Sequence, residues 1–203
     1  MIRLLRHGRT EANARGLLLG RADPVLDDVG RDQARRAAEA LAGDGLGAGA
    51  GAEIVRIVTS PLARCRETAA LAGEVLGLPV AVDERWVEMD YGELDGVPVA
   101  SVPVATWAAW SADLTWAPPG GESIAALGER VRSACDELLG AEGATLVVSH
   151  VSPIKAAVAW ALGVGDEVAW RMFLAPASIT TIGRGRRGPS LHGFNDVGHL
   201  PAP

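Results

Sequence analysis

The sequence predicts an α/β protein, a three-layer α/β/α arrangement around a mostly parallel central sheet, with a small helical cap insertion late in the chain. Three observations carry that expectation. Short apolar runs alternate with helix-length segments, the order that builds parallel strands joined by crossover helices. The 203 residues are 48% hydrophobic and 22% charged, the balance of a globular chain with one sizeable core. Proline- and glycine-rich turns crowd residues 97 to 142, the span expected to form the cap within a single domain of residues 1–203.

The elements follow in order. Ile2 to Leu5 reads as a buried strand that delivers Arg6-His7-Gly8 to its carboxyl end. Asp27-Asp28 can cap a helix running to about Ala42. Gly43 to Ala52 carries the letters of a dinucleotide fingerprint, but it follows a helix and precedes a strand, the reverse of that motif's setting, and so reads as a flexible loop. Ile54 to Thr59 is a strand. Ser60-Pro61 is expected to open a helix, with proline at its first position, that runs to about Leu76 and stops at Gly77 and Pro79. Val80 to Val82 restarts a strand. Helices over about Val99–Trp110 and Ser123–Leu139 fill the cap region, Thr145 to Ser149 is a buried strand ending at His150, and Pro153 begins a helix to Leu162. Ser178–Ile182 and Ser190–Phe194 form a final strand pair around the turn-rich stretch Gly183 to Pro189.

Composition excludes several functions. Nineteen basic against twenty-five acidic residues give a net charge of −6, which argues against a non-specific nucleic-acid binder or an anionic-membrane binder. Lys155 is the one lysine, so nearly all the positive charge is guanidinium, the group shaped to grip phosphate or carboxylate with two prongs. Cys65 and Cys135 cannot build a disulfide framework or a zinc site, which fits a reducing cytoplasm. The opening apolar run is too short for a signal peptide, and the uncharged stretch from Val97 to Ala112 is broken by Pro98 and Pro103, so no membrane span is expected. A homodimer through a sheet edge or an apolar cap patch stays open.

Common catalytic signatures are missing: no Gly-Lys-Ser/Thr follows a glycine-rich loop, neither cysteine has an arginine six positions on, and no Gly-x-Ser-x-Gly elbow exists. Two strands instead end in histidine, at His7 and His150, and strand ends in such a sheet can converge on one crevice. A third delivers Arg64 one turn after Ser60, beside Arg6. Two arginines and two histidines together make a phosphate pocket, because fixed donors stabilise the charge of a transferring phosphoryl group.

At these residues the chain resembles a known family. Arg6-His7-Gly8-x-Thr10-x-x-Asn13, Ser60-Pro61-Leu62-x-Arg64-x-x-Glu67-Thr68, Glu88-x-x-Tyr91-Gly92-x-x-Asp95-Gly96 and the late Ser149-His150 are similar to the ordered blocks of the histidine phosphatase superfamily, also called phosphoglycerate mutase-like. The resemblance implies a metal-independent, cofactor-free enzyme in which His7 attacks phosphorus and forms a phosphohistidine. It implies that Arg6, Arg64 and His150 hold the phosphoryl oxygens, with Thr10, Asn13, Gly20 and Val151 as further phosphate contacts, and that Glu88 serves as general acid and then base. Glu84, Asp90 and Glu93 lie close enough in sequence to compete with Glu88 for that role.

The expected function is hydrolysis of a small phosphomonoester, in a branch resembling acid phosphatases and α-ribazole phosphatases, with glucosyl-3-phosphoglycerate phosphatases as close competitors. A phosphoglycerate mutase and a catalytically idle phospho-ligand module are the alternatives. The segment from Met89 through Glu129 contains no lysine or arginine to retain a second anionic group, which disfavours the mutase. Trp107, Trp110 and Trp116 suit a leaving group with an apolar or ring-bearing portion. Leu19 stands before Gly20 where many members carry glutamine, and it is expected to narrow or dry the mouth of the pocket.

Overall fold

The computed structural model describes residues 1–43 and 52–201, so the interior of the Gly/Ala segment, residues 44–51, lies outside the described residues. Six strands form one sheet: β1 (Ile2–Arg6), β2 (Ile54–Thr59), β3 (Val80–Val82), β4 (Ala144–Ser149), β5 (Ile179–Gly185) and β6 (Gly188–Asp196), in the order β3-β2-β4-β1-β5-β6. β3, β2, β4 and β1 run parallel, β5 is antiparallel to β1, and β6 is antiparallel to β5. The helices are α1 (Glu11–Ala14), α2 (Asp28–Ala42), α3 (Ala63–Leu76), α4 (Val104–Ala112), α5 (Ile124–Gly140) and α6 (Val151–Leu162).

Every residue of β1 and β4 is buried, as central parallel strands covered on both faces require. Alternate side chains separate into two cores. Ile2, Leu4 and Val147 meet the apolar faces of α5 and α6, whereas Leu5, Leu146 and Val148 meet those of α2 and α3. This is the expected three-layer α/β/α fold.

Several boundaries differ from the sequence expectation, each for a physical reason. α3 begins at Ala63, with Leu62 as its cap, and Pro61 lies before the helix. The cause is Ser60, whose N–H continues the sheet ladder to the Val148 carbonyl at 3.0 Å, so the chain needs two more residues to turn. α6 starts at Val151, two residues early, because a proline in the first turn gives up only an N–H that has no partner there. The helix expected over Val99–Trp110 splits into a 3-10 turn at Val99–Ser101 and α4, since Pro103 holds Val102 in extended backbone. The last two strands run on through Gly185 and Gly188, leaving Arg186-Arg187 as the tip. Within residues 97–142, the span expected as the cap, α5 buries Leu127, Val131, Cys135 and Leu138 in the core that meets the sheet, and α4 buries Trp110 in the same core.

One close approach fixes the loop after β1. A Cβ built on Gly30, in the first turn of α2, would lie 2.0 Å from the Arg9 carbonyl oxygen, and one on Gly8 would lie 2.2 Å from that of Gly30. Glycine at both positions lets α2 press directly on the backbone that carries His7.

Candidate active site

Strand register assembles the site. Arg6 pairs with Ser149 across β1 and β4, so His7 and His150 emerge side by side, with the His7 N–H donating to the Ser149 carbonyl at 3.0 Å. Thr59 pairs with Val148 across β2 and β4, which brings Ser60 to the same rim. The two imidazoles meet edge to face with centroids 5.1 Å apart.

Hydrogen bonding sets the tautomer of each ring. His7 Nδ1 lies 2.7 Å from the Gly8 carbonyl oxygen, which can only accept, so Nδ1 carries the proton and Nε2 keeps its lone pair. Burial first, then the charges of Arg6 and Arg64, hold this imidazole well below the usual histidine range. It is a neutral base aimed by its own backbone. His150 is set the opposite way: Arg64 Nε donates to its Nδ1 at 3.2 Å, so the proton sits on Nε2, 2.7 Å from Ser60 Oγ. Burial again leads, with Arg64 next, in lowering its basicity.

Both arginines are fastened to carbonyls. Arg6 Nη1 donates to Leu174 at 2.6 Å, and burial lowers its guanidinium to about 10, still a cation at neutral pH. Its buried Nε has no partner among the described residues. Arg64, fully buried, donates through Nη1 to Ala22 and through Nη2 to Gly20, each at 2.8 Å. The loop presenting those carbonyls is tied from behind by Asp95, which accepts the Gly20 N–H at 2.8 Å and the Ala22 N–H at 2.7 Å.

Glu88 is 3% exposed, and its Oε1 accepts from the backbone N–H groups of Met89 at 2.8 Å and Ser152 at 3.2 Å. Oε1 thus accepts both N–H groups, and Oε2 has no hydrogen bond from the described residues. The competing carboxylates are elsewhere: Glu84 and Glu93 are exposed, and Asp90 accepts the Gly92 N–H outside the cavity walls.

Arg6, His7, Asn13, Glu88 and Val151 line one cavity of about 180 Å³, with Leu17, Leu18, Leu19 and Tyr91 as its apolar wall. Leu19 therefore does sit at this pocket, buried against it. Arg64 and His150 stand behind His7 rather than in that wall. Val151 is the first residue of α6, where a backbone N–H has no partner within the helix and the dipole favours an anion.

Thr10 and Gly20, expected as phosphate contacts, have protein partners in this structure. The Thr10 hydroxyl accepts the Asn13 N–H at 3.2 Å and donates to Asn13 Oδ1 at 3.0 Å, so it caps α1 and fixes the Asn13 amide, whose NH2 remains as the donor. The N–H of Gly20 donates to Asp95 and its carbonyl accepts from Arg64, so Gly20 helps to orient that arginine. Sequence reasoning assigned no role at the site to Ser60, Asp95 or Asn195, and the Oδ1 of Asn195 accepts the Ala175 N–H at 2.7 Å beside the carbonyl that holds Arg6. The signal for Asp95 was its place in the Tyr91-Gly92-x-x-Asp95 block.

A second cavity of about 180 Å³ shares Leu18, Tyr91 and Val151 with the first. Trp107 and Trp110, stacked at 5.6 Å with 8° between planes, form one side of it, and Trp170 stands edge-on to both. Trp116 packs against Trp110 outside this wall. Among the described residues no group of three or more His, Cys, Asp or Glu converges to hold a metal ion. No helix among them is long and apolar enough to cross a membrane.

The model of the histidine phosphatase superfamily, branch 1, matches residues 2–197. The chain belongs to that family. It is 40% identical over 182 residues to a bifunctional protein of Mycobacterium tuberculosis, an alignment that takes in 87% of this chain and 48% of that one, so it spans about half the length of such curated relatives. A probable phosphoglycerate mutase of Yersinia enterocolitica is 30% identical over 211 residues, covering 98% of this chain and 94% of its own. Among solved structures, a mycobacterial glucosyl-3-phosphoglycerate phosphatase complexed with VO3 superposes with a TM-score of 0.83 at 30% identity, covering 96% of this chain and 98% of that one. For a histidine phosphatase, then, the two histidine-ended strands, the two arginines and Glu88 stand at one strand-end crevice in this chain.

Proposed function

We propose that the chain is a phosphomonoester hydrolase acting through a phosphohistidine on His7. The observation that carries this is the pairing of a neutral His7, its Nε2 lone pair fixed by the Nδ1–Gly8 bond, with a buried Glu88 in the same cavity whose Oε1 is pinned and whose Oε2 is left without a hydrogen bond from the described residues. In the first half-reaction Nε2 attacks phosphorus, the bond from phosphorus to the ester oxygen breaks, and Glu88 gives its proton to that oxygen to release the alcohol. In the second, Glu88 takes a proton from water as the water oxygen attacks phosphorus. The phosphorus–nitrogen bond breaks, returning neutral His7 and inorganic phosphate.

Arg6, Asn13 and the Val151 N–H hold the phosphoryl oxygens from the cavity wall, and the Arg64–His150 pair supplies positive charge from behind. The second cavity is walled mainly by apolar side chains, with Lys155 its one basic lining residue; this offers little hold to a second anionic group and supports the hydrolase over the mutase. Two unpaired buried thiols support a reducing, cytoplasmic setting. Mixing the protein with phosphomonoesters, including 3-phosphoglycerate, and following free phosphate and product isomers tests the proposal. Phosphate release that disappears in His7→Ala is expected; isomerised 2-phosphoglycerate with little free phosphate would establish the mutase instead.

A further inference from the structure

One turn backs both Arg6 and His7. The Leu174 carbonyl accepts from Arg6 Nη1, the Ser178 carbonyl accepts the Arg6 N–H at 3.1 Å, and the Ala177 N–H donates to the His7 carbonyl at 3.1 Å. The turn is closed by the Ser178 N–H on the Ala175 carbonyl at 3.2 Å, with Pro176 at its second position and Ala177 at its third. Ala177 is fully buried and has a φ of 55°. A positive φ at the third position of such a turn is the usual place of glycine or asparagine, and alanine adopts it at a cost. The surrounding structure has to hold a residue in that state. Two side chains from the end of the chain do so. Asn195, in β6, accepts the Ala175 N–H at the start of the turn, and His199 Nε2 lies 3.0 Å from the Ala177 carbonyl oxygen. A carbonyl only accepts, so this nitrogen carries the proton. Leu200, the next residue, packs against the core that contains Leu5 and Ala177 and anchors the segment.

We propose that His199 is a positioning residue for His7: its Nε2–H holds the Ala177 carbonyl, keeps the strained turn in place, and through the Ala177 N–H sets the direction from which the His7 ring meets phosphorus. The inference rests on the phosphatase reading of His7. The peptide between His7 and Gly8 is held at both edges, its carbonyl by the Ala177 N–H and its own N–H by Thr68 Oγ1 at 3.2 Å. The ring is tied in turn through Nδ1 to the Gly8 carbonyl, so a shift of that peptide moves the ring with it. His199 itself lies in neither cavity wall and acts only through the backbone. Burial holds its ring below the usual histidine range, partly offset by the bond to Ala177 and the charge of Asp196, so it is neutral above about pH 6.5, with its one proton on Nε2. Its buried Nδ1 has no partner among the described residues, which leaves the bond to Ala177 as the side chain's polar anchor. The two ends of the turn divide the work: Asn195 steadies the side that holds Arg6, and His199 the side that holds His7.

Two amide substitutions separate this role from packing. His199→Gln places an NH2 near the position of Nε2 and can still donate to Ala177, whereas the same group in His199→Asn stops short of that carbonyl. With phosphate release from a chromogenic aryl phosphate as the assay, His199→Asn is expected to lose about tenfold in kcat while KM changes by less than about twofold, because Asn195 still steadies the turn beside Arg6. His199→Gln is expected to keep kcat within about twofold of the wild type. Hydrogen exchange at the Ala177 amide reads the same contact with no substrate present: it should quicken by about tenfold or more in His199→Asn and stay near the wild-type rate in His199→Gln. Equal kcat in the two variants, or an Ala177 amide that exchanges no faster in His199→Asn, overturns the proposal. An intact exchange contrast in a protein that releases phosphate from no ester would remove the phosphatase reading and leave the hold on the His7 backbone standing; phosphate release that is alike in both variants would remove the positioning role alone.

Discussion

Acidification should destabilise this fold through its two site histidines, and the size of the effect follows from their burial. His7 and His150 are buried and neutral in the folded chain, both held well below the usual range mainly by burial, whereas in the unfolded chain they titrate near 6.5. Below that value the unfolded state binds protons that the folded state refuses, so stability rises with pH: it is full above about 6.5 and is lost as pH falls. With the folded rings still neutral, each histidine costs about 1.4 kcal/mol between pH 7.5 and 5.5, and the pair about 2.7 kcal/mol. That is a large share of the 5–15 kcal/mol typical of a domain. Urea unfolding at half-unit steps across this range measures it. Replacing either histidine by glutamine should remove about half of the slope. A wild-type stability that stays level from pH 7.5 to 5.5, or a slope unchanged in both variants, would refute the account of two buried neutral rings.

Two further predictions concern residues that act on the site at one remove. Asp95→Ala releases the Gly20 and Ala22 N–H groups, so the carbonyls that orient Arg64 lose their anchor; a cost of about 2 kcal/mol in urea unfolding and a fall of about tenfold in kcat/KM for phosphate release are expected. Asn195 has a φ of 54°, which glycine adopts without cost, so Asn195→Gly isolates the loss of its bond to the Ala175 N–H: stability should fall by about 1 kcal/mol and KM rise more than kcat falls, as Arg6 loosens. Asn195→Ala should be the less stable of the two variants by about 1 kcal/mol, because alanine resists the left-handed region.

The sheet was legible because its signals are local. Apolar runs of strand length ending in Arg6-His7 and Ser149-His150 needed no tertiary knowledge, and parallel pairing then placed their ends together. Helix starts were less legible because they depend on what the preceding residue is bonded to: Ser60 delays α3 by extending the ladder to Val148, a contact invisible in the letters Ser-Pro. The Thr10 result is a different kind of miss. A threonine three residues before an asparagine is itself a capping signal, and reading Thr10 only as part of a phosphate motif hid the short helix it starts.

What the sequence could not supply was the composition of the second cavity. The span from Met89 through Glu129 lacks lysine and arginine, and reading the cap from that span alone gave a chamber with no cation. Folding brings Lys155 in from α6 and Asp166 and Trp170 from the turn beyond it, all outside that span. The ends that carry His7, Ser60 and His150 are fixed by register along three adjacent strands, so a motif suffices to find them. The second cavity is lined by side chains from six separate segments whose meeting depends on how α4, α5 and α6 pack. The strand-end site at His7 and the cavity beyond Tyr91 therefore rest on different structural levels, the first on strand register and the second on helix packing, so a substitution in the walls of the second can leave the geometry of the first in place.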